Sequence, residues 1–125
     1  MHVVDDDPLA LALLCEVAED SGWVARGFTS LHDLEDALEQ ERPRLLILDD
    51  DLPDGRGGDL ARDLRGDPRT RDVRLLVCTG AHPIRQAEIG AWAPVVSKPF
   101  RIEELERYLD AAARREGGSY HRAAG

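Results

Sequence analysis

The sequence predicts an α/β fold, a doubly wound parallel sheet of five short strands with helices on both faces. Two observations and one topological rule carry that expectation. The continuous apolar run Leu45-Leu46-Ile47-Leu48 ends abruptly in Asp49-Asp50-Asp51, followed by Pro53 and Gly55. A run bounded in this way fits a strand buried on both faces. Along the chain, strand-like segments alternate with segments at helical spacing, the pattern of a sheet wrapped by its own crossovers. Right-handed crossovers leave few topologies for such units.

The elements follow in order. Met1–Val4 predicts a minimal first strand that runs into Asp5-Asp6-Asp7-Pro8. Asp7 before Pro8 is a helix start, with Asp as cap and Pro as first helical residue. Leu9, Ala10, Leu13, Leu14 and Val17 supply the apolar face of that helix, and Gly22 stops it. Trp23–Phe28 predicts the second strand. Ser30-Leu31-His32-Asp33 resembles a capping box, and Leu34, Ala37 and Leu38 give the second helix its buried side. Pro43 precedes the central strand, Leu45–Asp49.

After the Pro53–Gly58 turn, Leu60, Ala61 and Leu64 mark a third helix, broken by Gly66-Asp67-Pro68. Gly57 and Gly58 are explained by the turn alone. Arg69–Asp72 is a polar loop, and Val73–Thr79 contains a fourth buried strand. Ala81–Ala91 predicts the fourth helix, with Pro83 near its start and Gly90 near its end. Trp92 fills a loop pocket. Pro94–Ser97 is the fifth strand, and Lys98-Pro99-Phe100 a sharp junction. Ile102, Leu105, Leu109, Ala112 and Ala113 line the last helix. Residues 1–116 form one domain, and 117–125, with little to bury, a disordered tail. Arg62, Arg65, Arg69, Arg71 and Arg74 read as a solvated face.

Bulk properties exclude several classes. A formal net charge of -9 over 125 residues disfavours direct nucleic-acid binding and an anionic membrane surface. No apolar run approaches the ~20 residues that span a bilayer. No basic segment leading into an apolar stretch opens the chain, so no signal peptide is expected. Cys15 and Cys78 lack metal-ligand spacing and read as core residues of a cytoplasmic protein.

Function is expected where the strands end. Ligands of open α/β sheets bind at the carboxyl ends of the strands. There the alternation gathers Asp5, Asp6, Asp49, Thr79 and Lys98. Crowded carboxylates raise one another's pKa unless a cation neutralises them. Asp5, Asp6 and Asp49 offer hard oxygen ligands suited to Mg²⁺. Asp49 can attack phosphorus, Thr79 can hydrogen-bond a phosphoryl oxygen, and Lys98 can pair with a carboxylate or a phosphoryl oxygen.

These residues carry a resemblance. Val3-Val4-Asp5-Asp6, Asp49 with Pro53 four and Gly57 eight residues on, Thr79, and Lys98-Pro99-Phe100 occur in the order and spacing of a response-regulator receiver domain. The chain resembles this CheY-like family of two-component signalling over roughly Met1 to Arg115. The resemblance implies a flavodoxin-like strand order of 2-1-3-4-5. It implies Asp49 as phosphoacceptor, and Mg²⁺ held by Asp5, Asp6, Asp49 and the backbone carbonyl of Asp51. Thr79 and Lys98 would engage the phosphoryl group. The donor would be a histidine kinase or a histidine phosphotransfer protein, docking near the first helix and the Lys98–Phe100 loop. Such a domain catalyses its own phosphorylation and dephosphorylation without being a turnover enzyme.

The chain departs from the family pattern at three places. Val95 stands where relatives usually carry Tyr, Phe or His. The Thr79-to-Lys98 interval is short, implying a shortened fourth helix. Asp51, two residues past the acceptor, is acidic. Two alternatives stand beside this reading. One is a degenerate receiver that binds partners without being phosphorylated. The other is a haloacid-dehalogenase-type phosphatase with Asp49 as nucleophile and Asp51 as acid/base.

Overall fold

The computed structural model describes residues 1–115; the tail expected over 117–125 lies outside them. Five strands and five helices alternate: β1 (His2–Val4), α1 (Pro8–Asp20), β2 (Arg26–Phe28), α2 (Leu31–Gln40), β3 (Leu45–Asp49), α3 (Gly57–Gly66), β4 (Arg74–Thr79), α4 (Pro83–Gly90), β5 (Val95–Ser97) and α5 (Ile102–Arg115). The strands form one parallel sheet in the order β2-β1-β3-β4-β5. The expected doubly wound architecture and strand order are therefore both present.

Alternation along each strand divides the core into two. Val3, Leu45, Ile47, Leu76 and Cys78 pack under α1 and α5 with Leu14, Val17, Leu105 and Leu109. Val4, Leu46, Leu48, Leu75 and Val77 face α2, α3 and α4, meeting Leu34, Ala61, Leu64 and Ile89. All five residues of β3 are buried, as a strand covered on both faces requires.

Local chemistry fixes the helix ends. Asp7 caps α1 by accepting from the Leu9 amide at 3.0 Å, with Pro8 in the first turn. Ser30 caps α2, accepting from the Asp33 amide at 3.1 Å. Asp54 adds a second clamp from the β3–α3 loop. Its carboxylate accepts from the Leu31 and His32 amides at 3.0 and 2.9 Å, and these hydrogen bonds hold its pKa below the usual value.

Several expectations need correction. Leu9 and Leu13 are 82% and 44% exposed, not buried. The buried stripe of α1 runs through Leu14, Val17 and Ala18, rotated from the one expected. The second strand begins at Arg26 instead of Trp23. It is an edge strand pairing only with β1, so it is no longer than that three-residue partner. Trp23 instead turns into the core, and its indole N–H donates to the Leu109 carbonyl at 3.3 Å. Ile102, at the start of α5, is 43% exposed; Leu105 is the first residue of that helix to reach the core. The arginines are not all a solvated face. Arg65 donates to the carbonyls of Arg71 and Trp92 at 2.7 and 3.3 Å, and Arg62 lies over the Trp92 ring.

Candidate functional site

The carboxyl ends of β1, β3 and β5 bring the candidate residues together. Asp5 and Asp49 are 1% and 5% exposed, while Asp6 is open to solvent. One carboxylate oxygen from each of the three lies within 4.8 Å of the others. Lys98 leans across from the β5–α5 junction. Its Nζ stands 3.2 Å from Asp49 Oδ1 and 3.4 Å from Asp5 Oδ2. The peptide bond from Lys98 to Pro99 is cis.

Backbone groups orient these side chains. Asp5 Oδ1 accepts from the Asp7 amide at 3.0 Å, and Asp49 Oδ1 from the Asp51 amide at 3.3 Å. Asp51 itself is exposed, and its backbone amide ties it to Asp49. Thr79 is fully buried at the end of β4, and its hydroxyl oxygen accepts from the Ala81 amide at 3.0 Å. The Lys98 amide donates to the Thr79 carbonyl at 2.8 Å, which ties the threonine to the lysine through backbone. Asp5, Asp6, Asp49 and Lys98 thus meet directly, with Thr79 and Asp51 flanking them.

Burial raises the Asp49 pKa; Lys98 pulls it down, Asp5 pushes it up, and the net shift is upward. Burial also works against the Lys98 ammonium, but Asp49 and Asp5 outweigh it and hold the lysine above its usual value. Beside them the Cys78 thiol is pushed up to about 12 by burial, which keeps it protonated and inert. Three carboxylates face one ammonium, so formal negative charge is left over. An oxygen-only, partly open donor set of this kind suits a hard divalent cation.

The structure adds three residues whose roles the sequence did not announce. Asp50 is 1% exposed and turns to the opposite face from Asp49. Arg85 of α4 grips it through Nε and Nη2 at 3.1 and 2.9 Å, and the Gly58 amide donates to it at 3.0 Å. Gly57 is the third. A Cβ there would run into the Asp49 carbonyl, so this glycine does more than make a turn. The strand period of two held the clue to Asp50, since neighbours of a buried strand point to opposite sides.

This geometry has counterparts among known proteins. The family model described as response regulator receiver domain matches residues 1–110. The chain belongs to that family. Among curated relatives, the "Probable transcriptional regulatory protein TcrX" of Mycobacterium tuberculosis is 34% identical over 92% of this chain and 50% of its own length. The phosphate regulon transcriptional regulatory protein PhoB of Pseudomonas aeruginosa is 29% identical over 92% of this chain and 52% of its own. This receiver domain therefore spans about half the length of the curated relatives it matches. Among solved structures, the response regulator DrrB of Thermotoga maritima superposes with a TM-score of 0.78 at 24% identity, covering 92% of this chain and 52% of that one. The receiver domain of a Colwellia psychrerythraea DNA-binding response regulator gives 0.80 at 20% identity, over 88% of this chain and 94% of its own. Among the described residues no helix is long and apolar enough to cross a membrane.

Proposed function

We propose that this receiver domain is phosphorylated on Asp49 and acts as a Mg²⁺-dependent signalling switch. The observation that carries the reading is Lys98 Nζ bridging Asp49 and Asp5 at 3.2 and 3.4 Å, with Asp6 beside them at the open edge of the sheet.

Asp5, Asp6 and Asp49, with the Asp51 backbone carbonyl, would hold the cation. Bound there, Mg²⁺ would neutralise phosphoryl oxygens and relieve the carboxylate crowding. The protein's own groups do the rest. A carboxylate oxygen of Asp49 attacks phosphorus of a phosphohistidine; the P–N bond breaks, and its electron pair stays on the imidazole of the kinase or phosphotransfer partner. Lys98 keeps its charge throughout and supplies an ammonium to the transferred oxygens. The Thr79 hydroxyl accepts from Ala81, which leaves its own O–H free to donate to a phosphoryl oxygen. Asp51, two residues past the acceptor, is exposed and puts a further carboxylate near the site.

The phosphatase alternative is set aside, because the match over residues 1–110 is to the receiver family. The names of the relatives TcrX and PhoB point to transcriptional output, and the net charge of -9 suits delivery through a protein contact rather than direct DNA contact by this domain. A cytoplasmic location accords with this role.

Acetyl phosphate and Mg²⁺ should add one phosphoryl group, read by intact mass. The adduct should vanish in EDTA and in Asp49→Asn, and decay slowly. A folded, Mg²⁺-binding protein that takes no adduct would point instead to a degenerate receiver that works by binding alone.

A further inference from the structure

The acceptor residue has a buried neighbour with a partner of its own. Asp49 and Asp50 are consecutive at the end of β3, so they point to opposite faces. Asp49 joins Asp5 and Lys98 on the α1–α5 side. Asp50 faces α3 and α4, where it is 1% exposed. Its Oδ1 accepts from Arg85 Nη2 at 2.9 Å and from the Gly58 amide at 3.0 Å, and its Oδ2 from Arg85 Nε at 3.1 Å. Arg85 Nη2 also reaches Asp59 Oδ1 at 3.2 Å. This is a two-pronged guanidinium–carboxylate fork, shielded from solvent and closed by a backbone donor.

The fork joins the acceptor loop to α4. α4 has eight residues and one buried side chain, Ile89. The helix's polar ties to the body of the domain include Gln86, whose amide donates to Ser97 Oγ of β5 at 3.2 Å, and Arg85, which alone of the two reaches the acceptor loop. At the other end, the Asp50 backbone is held on both sides: its amide donates to the Cys78 carbonyl at 3.1 Å, and its carbonyl accepts from the Gly57 amide at 3.2 Å. A Cβ on Gly58 would stand 2.8 Å from Asp50 Oδ1 and 2.9 Å from Ile89 Cδ1, so the carboxylate and the helix meet at one tight corner. Val95, beside that face on β5, has no side-chain group able to hydrogen-bond.

We propose that Arg85 is a positioning residue: its fork on Asp50 makes the acceptor loop and α4 one mechanical unit, so that a change of charge at Asp49 is transmitted to α4 through this pair. The inference deepens the phosphoacceptor reading and rests on Asp49 as the residue whose charge changes.

The test is amide hydrogen exchange across residues 83–91, in the wild-type protein and in Arg85→Lys and Asp50→Asn. Arg85→Lys keeps the charge and removes the fork, so it is the variant safest for folding. Unliganded, both variants should exchange about tenfold faster in α4, while α1, α5 and the central strands keep their protection. Beryllofluoride with Mg²⁺, a stand-in for the phosphoryl group, should alter α4 exchange in the wild type but not in Arg85→Lys, although Arg85→Lys still binds it. Asp49→Asn provides an arm free of phosphoryl chemistry: it should shift α4 exchange when Arg85 is present and not in the Arg85→Lys background. If the wild type binds no beryllofluoride yet Asp49→Asn still moves α4 through Arg85, the fork stands and the phosphoacceptor reading falls. Unchanged α4 exchange in Arg85→Lys, or an α4 response that survives that substitution, would overturn the fork.

Discussion

Two adjacent carboxylates at the end of β3 have opposite electrostatic fates. Asp49 is raised, chiefly by burial. Burial also penalises Asp50, but hydrogen bonds from Arg85 and the Gly58 amide outweigh it and leave Asp50 lowered. Their contributions to stability therefore run in opposite directions with pH. Asp50 stabilises the fold above its ordinary value of 3.8, and that contribution is lost as pH falls through its lower folded value. Asp49 lowers stability as pH rises from 3.8 through its higher folded value, and the loss persists at neutral pH. In EDTA at pH 7, Asp49→Asn should therefore raise the thermal midpoint by a few degrees, and the gain should shrink as pH falls through the raised folded value and be absent below 3.8. Asp50→Asn should lower the midpoint at pH 7 and flatten the acid limb. Thermal unfolding from pH 3 to pH 8 checks both, and a fall for Asp49→Asn at pH 7 would show that its ionised carboxylate stabilises the fold after all. The sequence made Asp5, Asp6, Asp49 and Lys98 legible because each closes an apolar run at a strand end. It concealed the Asp50–Arg85 pair because nothing local marks which arginine, 35 residues away, a buried carboxylate will find. Asp54 was hidden for the same reason, since its partners are amides of a different helix.

Among the elements, α1 shows where pattern reading reaches its limit. An alternating Leu/Ala segment offers two overlapping apolar stripes, and spacing does not choose between them. The sheet chooses, burying Leu14, Val17 and Ala18 and leaving Leu9 and Leu13 in solvent. Leu14→Ala should then cost ~2–5 kcal/mol, as for a filled core site, whereas Leu13→Ala should stay within ~0.5 kcal/mol. Urea denaturation of the two variants separates the stripes, and equal losses would restore the expected face. The fourth helix is as short as the compressed interval before Lys98 implied, running only from Pro83 to Gly90. Its start is built locally, with His82 Nδ1 accepting from the Ile84 amide at 3.1 Å. Strand ends moved by a residue or more because each parallel strand extends only as far as its neighbour pairs with it.

At the scale of the molecule, alternation made the two-faced parallel sheet readable, whereas the strand order came from family resemblance and not from periodicity. The sheet separates the labour of its faces: carboxylates and lysine gather on the α1–α5 side, and the fork lies on the α3–α4 side. Residual negative charge at the open edge predicts that Mg²⁺ stabilises the whole fold. A ligand at a hundredfold its Kd adds ~2.7 kcal/mol, so the thermal midpoint should climb with Mg²⁺ and stay flat in Asp6→Asn; an equal climb in both would place the ion elsewhere. The two tryptophans of the chain fall one on each side of the same division. Trp23 is sealed in the α1–α5 core, while the Trp92 indole N–H donates to the Gly58 carbonyl at 2.8 Å beneath the Arg62 guanidinium. Gly58 is also the residue whose amide holds Asp50. The protein is thus its own optical instrument: one chromophore is set where the α3–α4 corner would perturb its emission, and the other, across the sheet, serves as an internal standard.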